Sequence, residues 1–435
     1  MRPSLGALLT AAEVLMLVWC TAGTAEARQP QPLERKSCEL PEALQGMDGH
    51  VLLRYTVNEA GKINYVKPIF AVVDPPDKES DLTESVVTCL KGWSYGPAPA
   101  RATSSVSGQP TGSVELLQAF HYFKRPTAQG ETIKLEGGRS VPVVHIERMR
   151  ALKVQLALSL LSGSDLFETG GQGWGVQTNV RPKERERLLG GVRFAMGAFE
   201  QVFTGAPSLP DSSRLLLLLF RTQDAFNQVA AFDNIFRGPK PAGQYSVADQ
   251  MAYTFASGRE HPLRLSVDYV VHETTHHLVH QRLAEGGRRD TPYWVDEGIA
   301  SYIELLKPDK QGTFEKFEFR RGKQFEGDYS WRSHADTYLD AFERSLKAGN
   351  LPDFDDFINS RVTKMESDLA YGLSWILTHY LINGEAGALM KPFQAWLTGP
   401  MGGESDPGIA AAMGRSPQQL LEAITKHVAA MKRGG

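Results

Sequence analysis

The sequence predicts an α+β protein. A small mixed α+β unit comes first, and a mostly helical region with its own small sheet near its start follows. Three observations predict this. Between residues 45 and 125 the apolar spacing runs from a strand's period to a helix's and back, in the order strand, strand, helix, strand. "RLLLLLF", Arg214 to Phe220, is the unbroken apolar run of a strand buried on both faces. From Ser266 to the C-terminus helical spacing dominates. The chain has 435 residues, 42% hydrophobic and 22% charged, a globular composition long enough for two or three domains. Its formal net charge is -3 and it has no long basic block, which argues against nucleic acid as a partner.

The N-terminus predicts export. Arg2 gives a positive start, Leu5 to Val18 is mostly apolar, and small residues lead to Ala25-Glu26-Ala27. This is the layout of a secretory signal peptide over residues 1–27. The expected location is the periplasm, with secretion as the alternative. An uncleaved anchor is the other reading of the same stretch, and the bulky Trp19 disfavours lipid attachment at Cys20. No later stretch is long and apolar enough to span a bilayer. Cleavage after Ala27 leaves Cys38 and Cys89, which in an exported chain can form one disulfide.

The first unit is expected over residues 38–125. Val51, Leu53, Tyr55 and Val57 alternate as on a half-buried strand, "NEAG" at Asn58 to Gly61 turns the chain, and Ile63 to Val73 reads as a second strand. Asp81 and Glu84 have capping-box spacing. The helix behind them puts Leu82, Val86, Leu90 and Trp93 on one face, and "GSVELLQAFHYFKR" closes as a strand. "GHVLLRYTVNEAGKI", "ESVVTCLKGWSYGPA" and the closing aromatic strand together resemble the TonB C-terminal domain. That resemblance implies a module that binds an envelope protein partner by pairing a strand onto an open sheet edge. A spacer or docking module without such a ligand is the alternative.

Residues 126–144 read as a polar linker and residues 145–435 as the second region. In it a helix is expected from Val144 to Leu161, a strand at "GWGVQTN", and a long amphipathic helix from Pro182 to Phe203 with Pro at its start.

The chemistry concentrates in "DYVVHETTHHLVHQ", residues 268–281. His272, Glu273 and His276 form H-E-x-x-H. Residues four apart on a helix lie one above the other, so two imidazoles can face one ion while Glu273 polarises a water. A catalytic zinc site takes three protein ligands, and a third is needed here. A histidine six residues after His276 would supply one pattern, but Val279 and Arg282 stand where it needs Gly and His. "TPYWVDEGIASYIE", Thr291 to Glu304, offers Glu297 instead, on a following helix, with Gly298 and Ala300 read as letting that helix approach the histidines.

"HETTH" followed by "YWVDEGIASYIE" resembles the gluzincin metallopeptidases, and within them the peptidase MA-like proteins of bacteria. The resemblance implies a zinc-dependent peptidase in which His272, His276 and Glu297 bind Zn2+ and Glu273 is the general base. Gluzincins also use a Tyr or His from a later helix to stabilise the oxyanion. Tyr371, in "SDLAYGLSWILTHYLI", is the candidate, with Tyr302 and His379 behind it. The chain departs from thermolysin at Ser301, where an Asp orients a zinc histidine; Asp296 and Glu304 are candidates to contribute there, with a solvated surface position the alternative for each. His277 and His280 read as partly exposed or supporting histidines rather than ligands. An edge strand within Gln244 to Gly258 would hold a peptide substrate in extended form. The alternative is a non-catalytic zinc-containing envelope protein.

Overall fold

The computed structural model describes residues 32–34, 38–45, 47–96, 113–122, 132–134, 140–161, 165–168, 174–206, 215–232, 243–246, 251–257, 263–283, 291–306, 323–326, 329–332, 334–360, 367–399 and 406–433. The expected signal segment lies outside them. Among the described residues no helix is long and apolar enough to cross a membrane. The fold is α+β, as expected. The chain divides into two compact units at Leu160 and Leu161, and Asp224–Pro241 groups with the first.

The first unit is built on a three-stranded antiparallel sheet. Asp48–Asn58 lies in the middle, between Ile63–Asp74 and Ser113–Tyr122. Because side chains alternate along a strand, Val51, Leu53, Tyr55 and Val57 join one core with Leu82, Val86 and Leu90 of the helix Glu79–Lys91. The helix sits close to the sheet at Gly49, where an added methyl group would stand 2.3 Å from Leu82 Cδ2. Cys38 and Cys89 form a disulfide with Cα atoms 5.5 Å apart, within the range an unforced bridge uses.

Residues of the opposite face meet a helix from far along the chain, Gln223–Phe232. Arg54 Nη2 donates to both carboxylate oxygens of Asp224, at 2.8 and 2.9 Å. His121 Nε2 lies 3.1 Å from the carbonyl oxygen of Phe232, and its ring meets that of Phe232 edge-on at 4.9 Å. His50 and His121 share a 2.9 Å hydrogen bond. The sequence patterns place residue 145 onward with the second region. By contacts, the helix Val143–Leu160 groups with the first unit.

The second unit contains a five-stranded sheet, in the order Gly243–Ser246, Met251–Ser257, Leu215–Thr222, Trp174–Thr178, Asp165–Glu168. The three inner strands are parallel and the two outer ones antiparallel to their neighbours. Leu217 to Phe220 of the middle strand are fully buried, which accounts for its unbroken apolar run. Helices complete the unit: Pro182–Val202, Leu263–Leu278, Tyr293–Leu305, His334–Ala348, Ser367–Asn383 and Pro417–Arg433 are the long ones. Gly191 lets the first of these lie against the second, since a methyl group there would stand 3.2 Å from Val267 Cγ1.

Candidate metal centre

The histidine helix, Leu263–Leu278, is covered on every side along its C-terminal half: residues 270–280 are all buried. A short π turn, Val279–Leu283, ends it. The glutamate helix, Tyr293–Leu305, is anchored at its start by Trp294, whose indole N–H donates to the carbonyl oxygen of Ile358 at 2.9 Å.

The two helices bring His272, His276 and Glu297 together. One donor atom of each lies within 4.8 Å of the others, and all three residues are buried. Glu297 Oε2 is 3.2 Å from His272 Nε2 and 3.6 Å from His276 Nε2. His276 Nε2 is a buried nitrogen that makes no hydrogen bond. An unpartnered buried imidazole nitrogen, facing a second imidazole and a carboxylate, fits a cation at their centre.

Both ring orientations are held from behind. His272 donates through Nδ1 to Glu304 Oε2 at 2.8 Å, and His276 donates through Nδ1 to Asp296 Oδ1 at 2.6 Å. Each imidazole thus turns its Nε2 toward Glu297. Asp296 and Glu304, both left open by the sequence, therefore each back one histidine. Asp296 also lies 3.2 Å from His280 Nε2, and the hydroxyl of Tyr245 is 3.2 Å from His277 Nδ1.

The electrostatics call for positive charge at the centre. Burial alone would lower the pKa of His272, but hydrogen bonds to Glu297 and Glu304 raise it to about 10. His276 is raised to about 9 against its burial, by the charges of Asp296 and Glu297 and its hydrogen bond to Asp296. Burial would raise both Asp296 and Glu304. Asp296 is held well below the usual carboxylate range by His276 and His280, and Glu304 by His272 and His334. Two imidazoles among three carboxylates balance their charge either with protons or with a metal dication that displaces them.

Glu273 is buried beside these ligands, with Oε2 free of any hydrogen bond. The edge strand leaves room for it at Gly243, where an added methyl group would stand 2.7 Å from Glu273 Oε1. Gly243–Ser246 lies within the stretch read as an edge strand, apart from its first residue, and it is indeed the last strand of the sheet.

Tyr371 stands near the centre, its ring 6.2 Å from that of His272, stacked on Tyr338 at 6.3 Å. Tyr302 and His379 are placed elsewhere. The Tyr302 hydroxyl accepts from Asn383 Nδ2 at 2.9 Å, and His379 Nδ1 shares a 2.7 Å hydrogen bond with His427 Nε2.

One expectation needs correction. Gly298 does not serve the approach to the histidine helix. A methyl group there would stand 2.4 Å from Thr378 Oγ1 and 2.5 Å from the carbonyl oxygen of Ser374, so the glycine admits the helix Ser367–Asn383. Sequence reasoning also missed Gly243, His334 and the contact of Tyr245 with His277. No spacing rule links them to H-E-x-x-H, because strand and helix pairing alone bring them there.

The His379–His427 pair yields a prediction. Burial, and then the neighbouring His427, lower the pKa of His379 to about 3, against 6.5 in an unfolded chain. Between those values the unfolded state binds the extra proton. His379 therefore adds full stability above pH 6.5, and that stability falls by about 1.4 kcal/mol per pH unit as the pH drops toward 3. Thermal denaturation at pH 7 and pH 5 should show a smaller acid loss in His379→Gln than in wild type.

Comparison with known proteins places residues 266–398 in a match to the family described as Protein of unknown function (DUF1570). The matched stretch holds all three candidate ligands, Glu273 and Tyr371. The solution NMR structure of the Pseudomonas aeruginosa TonB CTD is similar at 19% identity, over 24% of this chain and 97% of that one, with a TM-score of 0.18. No curated protein matches the chain.

Proposed function

We propose that this chain is an exported zinc metallopeptidase of the gluzincin type. The observation that carries the proposal is the convergence of Glu297 on His272 and His276, from a separate helix, at 3.2 and 3.6 Å. His272, His276 and Glu297 would hold the ion. Two neutral imidazoles and one carboxylate form a donor set that catalytic zinc uses, with room left for water. Zinc bound there would lower the pKa of a water and polarise a peptide carbonyl. Glu273 takes the proton of the attacking water and passes it to the leaving amine. Tyr371 donates a hydrogen bond from its hydroxyl to the carbonyl oxygen as negative charge develops there. The backbone of Gly243–Ser246 pairs with an extended peptide substrate. The N-terminal unit binds an envelope partner through an outer strand of its sheet.

A purely structural zinc site needs no buried carboxylate beside its ligands. The space kept for Glu273 by Gly243 therefore favours the enzyme over a non-catalytic zinc-containing envelope protein. The test is metal analysis together with digestion of a mixed peptide library. Bound zinc with library cleavage supports the proposal, and bound zinc without cleavage refutes it. In the same assay Gly243→Ala should lower turnover about 10²-fold with zinc content unchanged, because a catalytic group displaced by about 1 Å loses that much.

A further inference from the structure

We infer that His334 is a positioning residue for the metal centre, acting on His272 through Glu304. The inference rests on the metal-site reading above and concerns a residue that reading does not use. His334 opens the helix His334–Ala348, well beyond both metal-binding helices in the sequence. Its Nδ1 donates to Glu304 Oε1 at 2.8 Å, and the other oxygen of the same carboxylate accepts from His272 Nδ1 at 2.8 Å. Glu304 is buried, while His334 is 32% exposed. The result is a chain of three side chains from three helices, running from near the surface to a ligand.

The geometry explains why a second donor matters. A glutamate side chain has three rotatable bonds, and one hydrogen bond leaves its carboxylate free to swing about that contact. Donors on both oxygens fix the plane of the group. Glu304 fixed in this way holds the Nδ1–H of His272, which leaves Nε2 as the atom turned to the ion. His334 is itself fixed by its helix. A methyl group at Gly372 would stand 2.9 Å from the carbonyl oxygen of Tyr338, so the helices His334–Ala348 and Ser367–Asn383 touch backbone to side-chain position one turn after His334. The ring of Tyr338 lies 6.0 Å from that of His334. Ser301, too short to reach as an acid would, is thus bypassed by a longer acid farther along the same helix that a third helix braces.

The test is zinc affinity, measured by competition with a chromophoric chelator on the full chain, so it does not depend on finding a substrate. His334→Ala should weaken zinc binding about tenfold, the lower end of the range for residues that orient ligands. His334→Asn should restore most of the affinity, because the Asn side-chain N–H₂ can occupy the place of Nδ1–H. The double variant with Glu304→Ala should bind no more weakly than Glu304→Ala alone, since His334 acts only through that carboxylate. Circular dichroism identifies any variant that fails to fold, and the His334→Asn comparison then decides. Wild-type affinity in a folded His334→Ala protein overturns the role, as does a His334→Asn protein as weak as His334→Ala. A wild-type chain that binds no zinc overturns the metal-site reading itself, and with it this role.

Discussion

Replacing Glu273 by Gln is expected to lower peptide hydrolysis by about 10²–10⁴-fold while the zinc stays bound, the range that a positioned general base supplies. The side chains are nearly equal in volume, and Glu273 is not one of the three residues whose donor atoms converge. What the substitution removes is a carboxylate able to take a proton. Its Oε2 makes no hydrogen bond in the folded chain, so no structural bond is lost from that atom. Metal content by mass spectrometry and hydrolysis of a peptide library, measured on the same preparation, give the result. Loss of both zinc and activity would instead make Glu273 part of the metal cage.

Gly298→Ala should be among the most damaging single changes in the second unit. The added methyl group would meet Thr378 Oγ1 at 2.4 Å and the carbonyl oxygen of Ser374 at 2.5 Å. The first can turn aside, but the second is helix backbone and cannot. Overpacking of this kind costs about 1–3 kcal/mol. The strain falls one residue from Glu297, on a helix whose neighbours Trp294, Val295, Ile299 and Ala300 are all buried. The helix can relieve it only by moving away from Ser367–Asn383, which shifts Glu297 relative to the two histidines. We expect a lower melting temperature and at least tenfold weaker zinc binding together. Thermal denaturation with and without added zinc measures both. A destabilised protein with unchanged zinc affinity would show that Glu297 is held independently of this packing.

How much of this could be read from the sequence depends on how local the cause is. His272 and His276 were legible because helix geometry alone puts residues four apart on one face. Glu297 was legible from a motif, and the pairing of Cys38 with Cys89 from a count. The alternation from Val51 to Val57 gave the inner face of the first sheet, with the helix Glu79–Lys91 as its cover. Its other face was not legible. Arg54 lies on it and pairs with Asp224, which lies 170 residues away in the sequence. Asp296 and Glu304 could be named only as open alternatives for one orienting role, and the fold gives each its own histidine. Gly298 was assigned to the wrong neighbour, because a small residue announces a close approach without saying which helix approaches. His334 carried no signal at all. Its place depends on how a third helix packs against a fourth, at Gly372, and no periodicity in a single segment encodes that.

The proposed chemistry needs a single cation bound by residues from two helices. X-ray diffraction from zinc-soaked crystals, recorded on both sides of the zinc absorption edge, tests this most directly. One strong anomalous peak is expected, bounded by His272 Nε2, His276 Nε2 and a carboxylate oxygen of Glu297, at about 2.0–2.2 Å from each. No peak there, or a peak at His272 and His276 with Glu297 turned away, would contradict it.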